Sequence, residues 1–375
     1  MLKWVQSGLS VVAGTAEPEY GREALHPVTD KVKEGEPCYR ETTLKDLNWL
    51  GPNYTNVETQ TFYFTCLKTG YTGFAQVIHS NIMGVHTTAQ FTFRIYDDKG
   101  KNNLWTSTHL ENFRTEGSNF YADNMSIEFN EDGTEVILKS DVNPDSVVEF
   151  TMKRLVPGVI FGGDGTTLYG EDVEEPWGSM RHCFWPRCEV SGTIVSKALD
   201  TTLEINGLTM FVMALQGMKP HHAAKSWNFL NFQSENYSAV QMEFTTPRSY
   251  ANTKVNIGVV CGKDKILLAS INNDVVHENA EIDEVGWPVP KAITFNHDAA
   301  DKSYHVDVKG ELKSLVERVD VMAEIPQFIK NIVSGVAGTK PYIYQYCNKM
   351  TINDNNVASE TGVAFSEATF ISEFD

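Results

Sequence analysis

The sequence is short of positive charge, of cysteine and of long apolar runs. Lys and Arg number 31 against 49 Asp and Glu, a formal net charge of −18. Phosphate-rich nucleic acid is repelled by that balance, so no nucleic acid partner is expected. A basic patch for docking on anionic lipid is excluded on the same ground. No stretch reaches the roughly 18–20 consecutive apolar residues of a membrane-crossing helix. The six cysteines (Cys38, Cys66, Cys183, Cys188, Cys261 and Cys347) are too few for a disulfide framework. Free thiols in a reducing, intracellular compartment are therefore expected. Sequons at Asn53, Asn124 and Asn236 carry no weight without a secretory leader.

Catalytic signatures are lacking too. There is no G-x-S-x-G elbow, H-E-x-x-H, P-loop or dinucleotide fingerprint. "FGGDGTTLYG" has the glycines of a phosphate cradle without the lysine or the following helix. Cys183 and Cys188 are five apart, an unusual zinc spacing that places them on opposite faces of a strand. His221 and His222 diverge in an extended segment for the same reason. No metal or cofactor is expected, and no enzyme activity is legible.

What is present is an ordinary globular composition, 41% hydrophobic and 21% charged, over 375 residues. That length accommodates two to three domains. The opening "MLKWVQSGLSVVAG" is apolar but broken by Gln6, Ser7, Gly8 and Ser10. On a helix, Met1, Leu2, Val5, Leu9 and Val12 share one arc, with Lys3, Gln6, Ser7 and Ser10 opposite. Trp4 falls beside that arc. A helix this short needs a surface to fold on. Either the protein's own body or a lipid interface can supply it, and Trp4 suits the second. The acidic "TAEPEYGRE" that follows makes any membrane contact hydrophobic, not electrostatic.

The chain repeats. Phe62 and Gln76 align with Phe229 and Gln241, Ile95 with Val259, and Phe129 with Phe295. Pro157 aligns with Pro326 and Cys188 with Cys347, all at spacings of 159 to 169 residues. The unit is rich in period-two stretches, such as Phe91, Phe93 and Ile95 or Tyr304, Val306 and Val308, separated by polar turns. The expected fold is mostly β: two tandem lipocalin-like antiparallel β-barrels with an N-terminal amphipathic helix. The expected divisions are 1–20 for the N-terminal segment, 21–217 for the first domain and 218–375 for the second. "IPQFIKNIVSGVAG" breaks the pattern. Ile325, Phe328, Ile329, Ile332, Val333 and Val336 recur at helical spacing, for a helix that packs on a barrel or covers its portal.

Two segments concentrate aromatics with cationic groups. "EEPWGSMRHCFWPRC" carries Trp177, Arg181, His182 and Trp185; "GMKPHHAAKSWNFLNFQ" carries His221, Trp227 and Phe229. Such mixtures suit a pocket for a large apolar ligand with a polar head, and these seven are the candidate ligand-binding residues. Taken singly, each aromatic is better read as packed core and each cation as solvated.

The opening with its "AEPEYG", "NVETQTFYF", "GFAQVIHSNIMGVHTTAQFTFRIYD", "EEPWGSMRHCFWPR" and "GTKPYIYQY" resemble the fungal survival factor 1 family over nearly the whole chain. The resemblance implies two lipocalin-like domains related to bacterial hydroxyneurosporene-synthase-like proteins. It implies a cytosolic protein that supports survival under oxidative stress and carries ceramide between endoplasmic reticulum and Golgi membranes. Met1, Leu2, Trp4, Val5, Leu9 and Val12 would then be the membrane-binding residues, and ceramide and a membrane surface the partners. "SKALDTTLEING" is short where some members carry a long acidic insertion. Two other readings stand beside the carrier. One is a hydratase or isomerase acting on an apolar lipid, by analogy with the bacterial relatives; the other is a signalling scaffold.

Overall fold

The computed structural model describes residues 19–82, 84, 86–97, 102–218, 220–321, 341–355 and 358–372. The membrane-binding candidates Met1 to Val12 and the helix expected over 325–338 lie outside them. The described chain is almost entirely antiparallel β, as the alternation requires.

Eleven strands form the main path of the first sheet. They are β1 (Asn56–Cys66), β2 (Tyr71–Ile82), β3 (His86–Asp97), β4 (Leu104–His109), β5 (Arg114–Glu116), β6 (Asn119–Ala122), β7 (Met125–Phe129), β8 (Glu135–Ser140), β9 (Val147–Arg154), β10 (Gly178–Ser196) and β11 (Thr201–Gln216). Ten form the second: β12 (Ser226–Gln233), β13 (Ser238–Thr245), β14 (Lys254–Cys261), β15 (Ile266–Ser270), β16 (Asp274–Glu278), β17 (Ala292–Asp298), β18 (His305–Glu311), β19 (Leu315–Asp320), β20 (Tyr342–Asp354) and β21 (Ala358–Phe370).

The two ladders share one logic. The first runs β4-β3-β2-β1-β11-β10-β9-β8-β7-β6-β5 and the second β15-β14-β13-β12-β21-β20-β18-β17-β16, with β19 also on β20. In each, a four-strand meander begins on a strand that pairs with the last strand of the unit. Phe62 faces Phe211 across β1 and β11, and Phe229 faces Glu367 across β12 and β21. Each sheet thereby curls on itself, the lipocalin-like arrangement expected.

The sequence repeat finds equivalent strands but not equivalent faces. Phe62 and Ile95 point into the first sheet's core, whereas Phe229 and Val259 point out of the second and into the contact between the halves. Gln76 and Gln241 are inverted the other way. Adjacent residues on a strand lie on opposite faces, so a match displaced by one residue exchanges inside for outside. The Phe129 match is displaced further. Phe129 lies on β7, three ladder steps from β10, while Phe295 lies on β17, whose ladder place matches β8.

Three apolar clusters result. The first sheet encloses Phe62, Phe64, Phe91, Phe93, Phe120, Phe150, Trp185 and Phe211, all buried. Their rings stack or meet edge to face, with Phe62 at 4.8 Å from Phe211 and Phe64 at 5.4 Å from Phe150. The second sheet encloses a core of its own. Between them runs a seam in which Tyr63, Phe74, Phe184 and Met210 of the first half meet Phe229, Val240, Ile257 and Phe365 of the second. Each buried aromatic removes about 150–250 Å² of surface from water, so the halves are held together much as each is held within.

Polar groups fix the register of the seam. Arg94 donates to the Val316 carbonyl at 2.7 Å and pairs with Glu317 at 2.6 Å. The Tyr169 hydroxyl donates to the Ala223 carbonyl at 2.8 Å. Arg187 sits in the irregularity of β10 between Trp185 and Cys188, where Pro186 interrupts the ladder. That bulge turns the guanidinium towards the β12–β13 hairpin. There it donates to the carbonyls of Ser234, Glu235 and Tyr237 and to the Ser238 hydroxyl.

Candidate functional site

Strand β10 distributes the first candidates by alternation. Met180 and Phe184 face the seam, and His182 lies between them on the same face. Arg181 and Trp185 point the other way, with Cys183, towards the first core. Arg181 is spent on backbone: its Nε donates to the Asp164 carbonyl at 3.0 Å and its Nη2 to that of Asp46 at 2.7 Å. Trp185 is fully buried, 5.3 Å from Phe211 and 5.4 Å from Phe129. His182 lies parallel to Phe184 at 6.1 Å, and burial, helped by the Arg181 charge, pushes its ring down to about 4.

The second segment supplies the opposite wall. Phe229 is buried in the seam 5.4 Å from Tyr63, and Trp227 packs at its margin. Trp177 is at the rim, 44% exposed, with its Nε1 donating to the Tyr250 hydroxyl at 2.7 Å and its ring 4.9 Å from Tyr20. His221 belongs to the short helix Pro220–Ala223. The seam therefore brings together His182, Trp227 and Phe229, with Trp177 at its edge, and leaves Arg181 and Trp185 on the far side of β10.

Composition did not point to the polar centre of the seam. Glu367 on β21 faces it between Phe365 and Thr369 and accepts a hydrogen bond from Gln345 Nε2 at 2.7 Å. Burial pushes its carboxyl up to about 7, against the lowering effect of that bond. Its charge acts on the phenols of Tyr63 and Tyr96 from the other half. Gln345 Oε1, Thr369 Oγ1 and the Tyr96 hydroxyl are buried without a hydrogen-bond partner.

The inside of the second sheet is a second polar region. Cross-strand pairing sets Asn228, Glu243 and Asn256 in one row over β12, β13 and β14. The next row holds Ser366, Leu230, Gln241, Gly258 and Ser270. Glu243 accepts from Asn228 at 3.2 Å and from Asn256 at 2.8 Å, with Lys254 at 3.5 Å. His277 Nε2 meets Asn228 Oδ1 at 2.7 Å. Across β1, β2 and β3 the first sheet instead sets Phe62, Ala75 and Phe93 in one row and Gln60, Val77 and Phe91 in the next.

These groups offer hydrogen bonding, not covalent chemistry. Burial pushes the Cys183 thiol up to about 12 and raises those of Cys188 and Cys261, so none is a ready nucleophile. All six cysteines are free thiols. Among the described residues no group of three His, Cys, Asp or Glu could hold a metal. A hollow of about 400 Å³ beside Asn124, Lys139, Asp141 and Glu149 is open to solvent and does not enclose a ligand.

Comparison with known proteins places this architecture. The chain is 70% identical to a Debaryomyces hansenii protein named "Ceramide-binding protein SVF1", over 100% of both chains. It is 64% identical to the Candida albicans protein of the same name, again over 100% of both. Among solved structures, CghA with Sch210972 superposes at a TM-score of 0.63 and 10% identity, covering 94% of this chain and 99% of that one. At that identity the likeness is one of fold. The family model described as the Svf1 family matches residues 2–372, and the chain belongs to that family.

Proposed function

We propose that this protein binds ceramide and carries it between endoplasmic reticulum and Golgi membranes, in support of survival under oxidative stress. The observation that carries this reading is the full-length identity to relatives named for ceramide binding. The physical need is clear. Each CH₂ exposed to water costs about 0.8 kcal/mol, so a two-chain lipid does not cross the cytosol unaided. A doubled, curled sheet with aromatic contacts between its halves offers the shelter. The apolar face Met1, Leu2, Val5, Leu9 and Val12, with Trp4 beside it, supplies the transient attachment that loading and unloading both require. A net charge of −18 makes that attachment one of apolar burial and not of charge.

The test is transfer of a fluorescent ceramide from donor to acceptor phosphatidylcholine vesicles. The full chain is expected to speed transfer at least about tenfold, with little effect of salt. A variant lacking residues 1–14 should keep its fold, lose flotation with vesicles and lose the acceleration. No acceleration by the full chain overturns the reading, and unchanged flotation of the truncated chain removes the N-terminus from it.

A further inference from the structure

The polar rows inside the second sheet are more than a hydrogen-bonded core. His297 on β17 is fully buried, and neither ring nitrogen has a hydrogen-bond partner. The carbonyls of Val240, Val306 and Phe295 lie near the ring without completing such a bond. Opposite it is Gly258, where a Cβ would come within 3.0 Å of the His297 ring and 2.9 Å of Asn273 Nδ2. Glycine here keeps backbone and ring in close approach. Near this point the Oε1 of Gln241, the Oδ1 of Asn273 and the Oδ1 of Asn256 are also buried without partners, and so is the Oγ of Ser366 at the far end of the same row. Native interiors pair nearly all such atoms, and a cluster of exceptions marks a place where something else pairs them.

The chemistry of the exceptions defines the guest. Carbonyl oxygens predominate, so the site has a surplus of acceptors. The imidazole, pushed down to about 4 by burial, is neutral at cytosolic pH and presents one donor and one acceptor. Among the described residues the nearby basic groups are committed: Lys254 to Glu243 and Asp274 at 3.5 and 3.0 Å, and His305, whose charge acts on the His297 ring, to Asp298 at 2.8 Å. An anionic head would meet acceptors and, among the described residues, no uncommitted positive charge. A neutral head rich in N–H and O–H donors would satisfy them.

We infer that the interior of the second sheet, around His297, Gln241, Asn273 and Ser366, recognises the neutral amide and hydroxyl head of the bound lipid and rejects its phosphorylated counterpart. This rests on the ceramide reading and assigns its head group a place. Water alone could also occupy such a site, and the test must separate the two.

Native mass spectrometry should be run on the full chain with ceramide and with ceramide 1-phosphate, for the wild type and for His297→Phe, Gln241→Leu and Ser366→Ala. Thermal midpoints should be measured alongside. The wild type is expected to prefer ceramide at least about tenfold. The His297 and Gln241 variants should each lose about tenfold in ceramide binding. The His297→Phe midpoint should hold or rise, because orphaned polar atoms have been replaced by apolar ones. Gln241→Leu also removes the Nε2 bond to the Asp274 carbonyl, and its midpoint should fall slightly, by too little to account for the loss. Ser366→Ala should lose less. Variants that bind like a ceramide-binding wild type would show that the atoms are merely hydrated, and would overturn the inference while leaving the ceramide reading intact. Losses that only track falling midpoints count against it as well. A wild type that binds neither lipid would overturn both.

Discussion

Replacing Arg187 with alanine is expected to destabilise the protein by about 3 kcal/mol. The side chain is 3% exposed and, among the described residues, forms no salt bridge; it donates to three carbonyls and a hydroxyl of the β12–β13 hairpin. Removing it takes the charged donor from the buried Ser234 carbonyl and weakens the pairing of the Tyr237 carbonyl and the Ser238 hydroxyl, which keep only Ser234 and Gln233. Each unsatisfied buried group costs about 1–3 kcal/mol, and relief of the buried charge offsets part of the sum. Because the contact crosses between halves, the loss should also expose the hairpin to proteolysis. Urea unfolding and limited digestion read both effects. A change below about 0.5 kcal/mol, the level of an ordinary surface substitution, would show that the bulge at Pro186 and Arg187 does not clamp the halves.

Acidification should destabilise the fold strongly. His182, His277 and His297 are each pushed down to about 4 by burial, from an ordinary value near 6.5. Their folded forms bind protons less readily than their unfolded forms, so stability is full above about pH 6.5 and lost as pH falls towards 4. Between pH 7 and 5 each contributes a loss of about 2 kcal/mol. Glu367 works in the opposite sense. Its carboxyl is held up at about 7, so its burial penalty is relieved on acidification and returns about 2 kcal/mol over the same range. The net expectation is a loss of about 4 kcal/mol from pH 7 to pH 5, visible in urea midpoints. His297→Phe should flatten the slope by about a third of the histidine contribution. Stability that is level or rises on acidification would contradict the placement of these rings.

The doubled β architecture was legible because its signals are local. Alternation along Phe91 to Ile95 and the polar turns survive any error of register. The seam was only partly legible. Trp227 and Phe229 stand out by composition, but nothing in "RHCFWPRC" tells which of Arg181 and His182 faces outward, since β10 is buried on both sides. The same double burial hid the interior site. In "SAVQMEFT" both parities are apolar or buried, so Gln241 and Glu243 read as solvent-facing residues of a half-exposed strand. They face inward because Val240, Met242 and Phe244 are needed on the seam. A matched repeat misled for the same reason. Aligning Gln76 with Gln241 equates a residue outside one curl with a residue inside the other, and only ladder pairing separates them. Glu367, in "FSEATF", had no composition signal at all beyond a carboxylate among small residues.

The most direct measurement is photochemical. A ceramide carrying a diazirine beside its amide should be loaded onto the full chain, irradiated, and the labelled peptides sequenced. Label in the peptides that carry Gly258, Asn273 and His297, suppressed in His297→Phe, is the predicted result. Label confined to the first sheet, or none above that given by a free fatty amide, would contradict it.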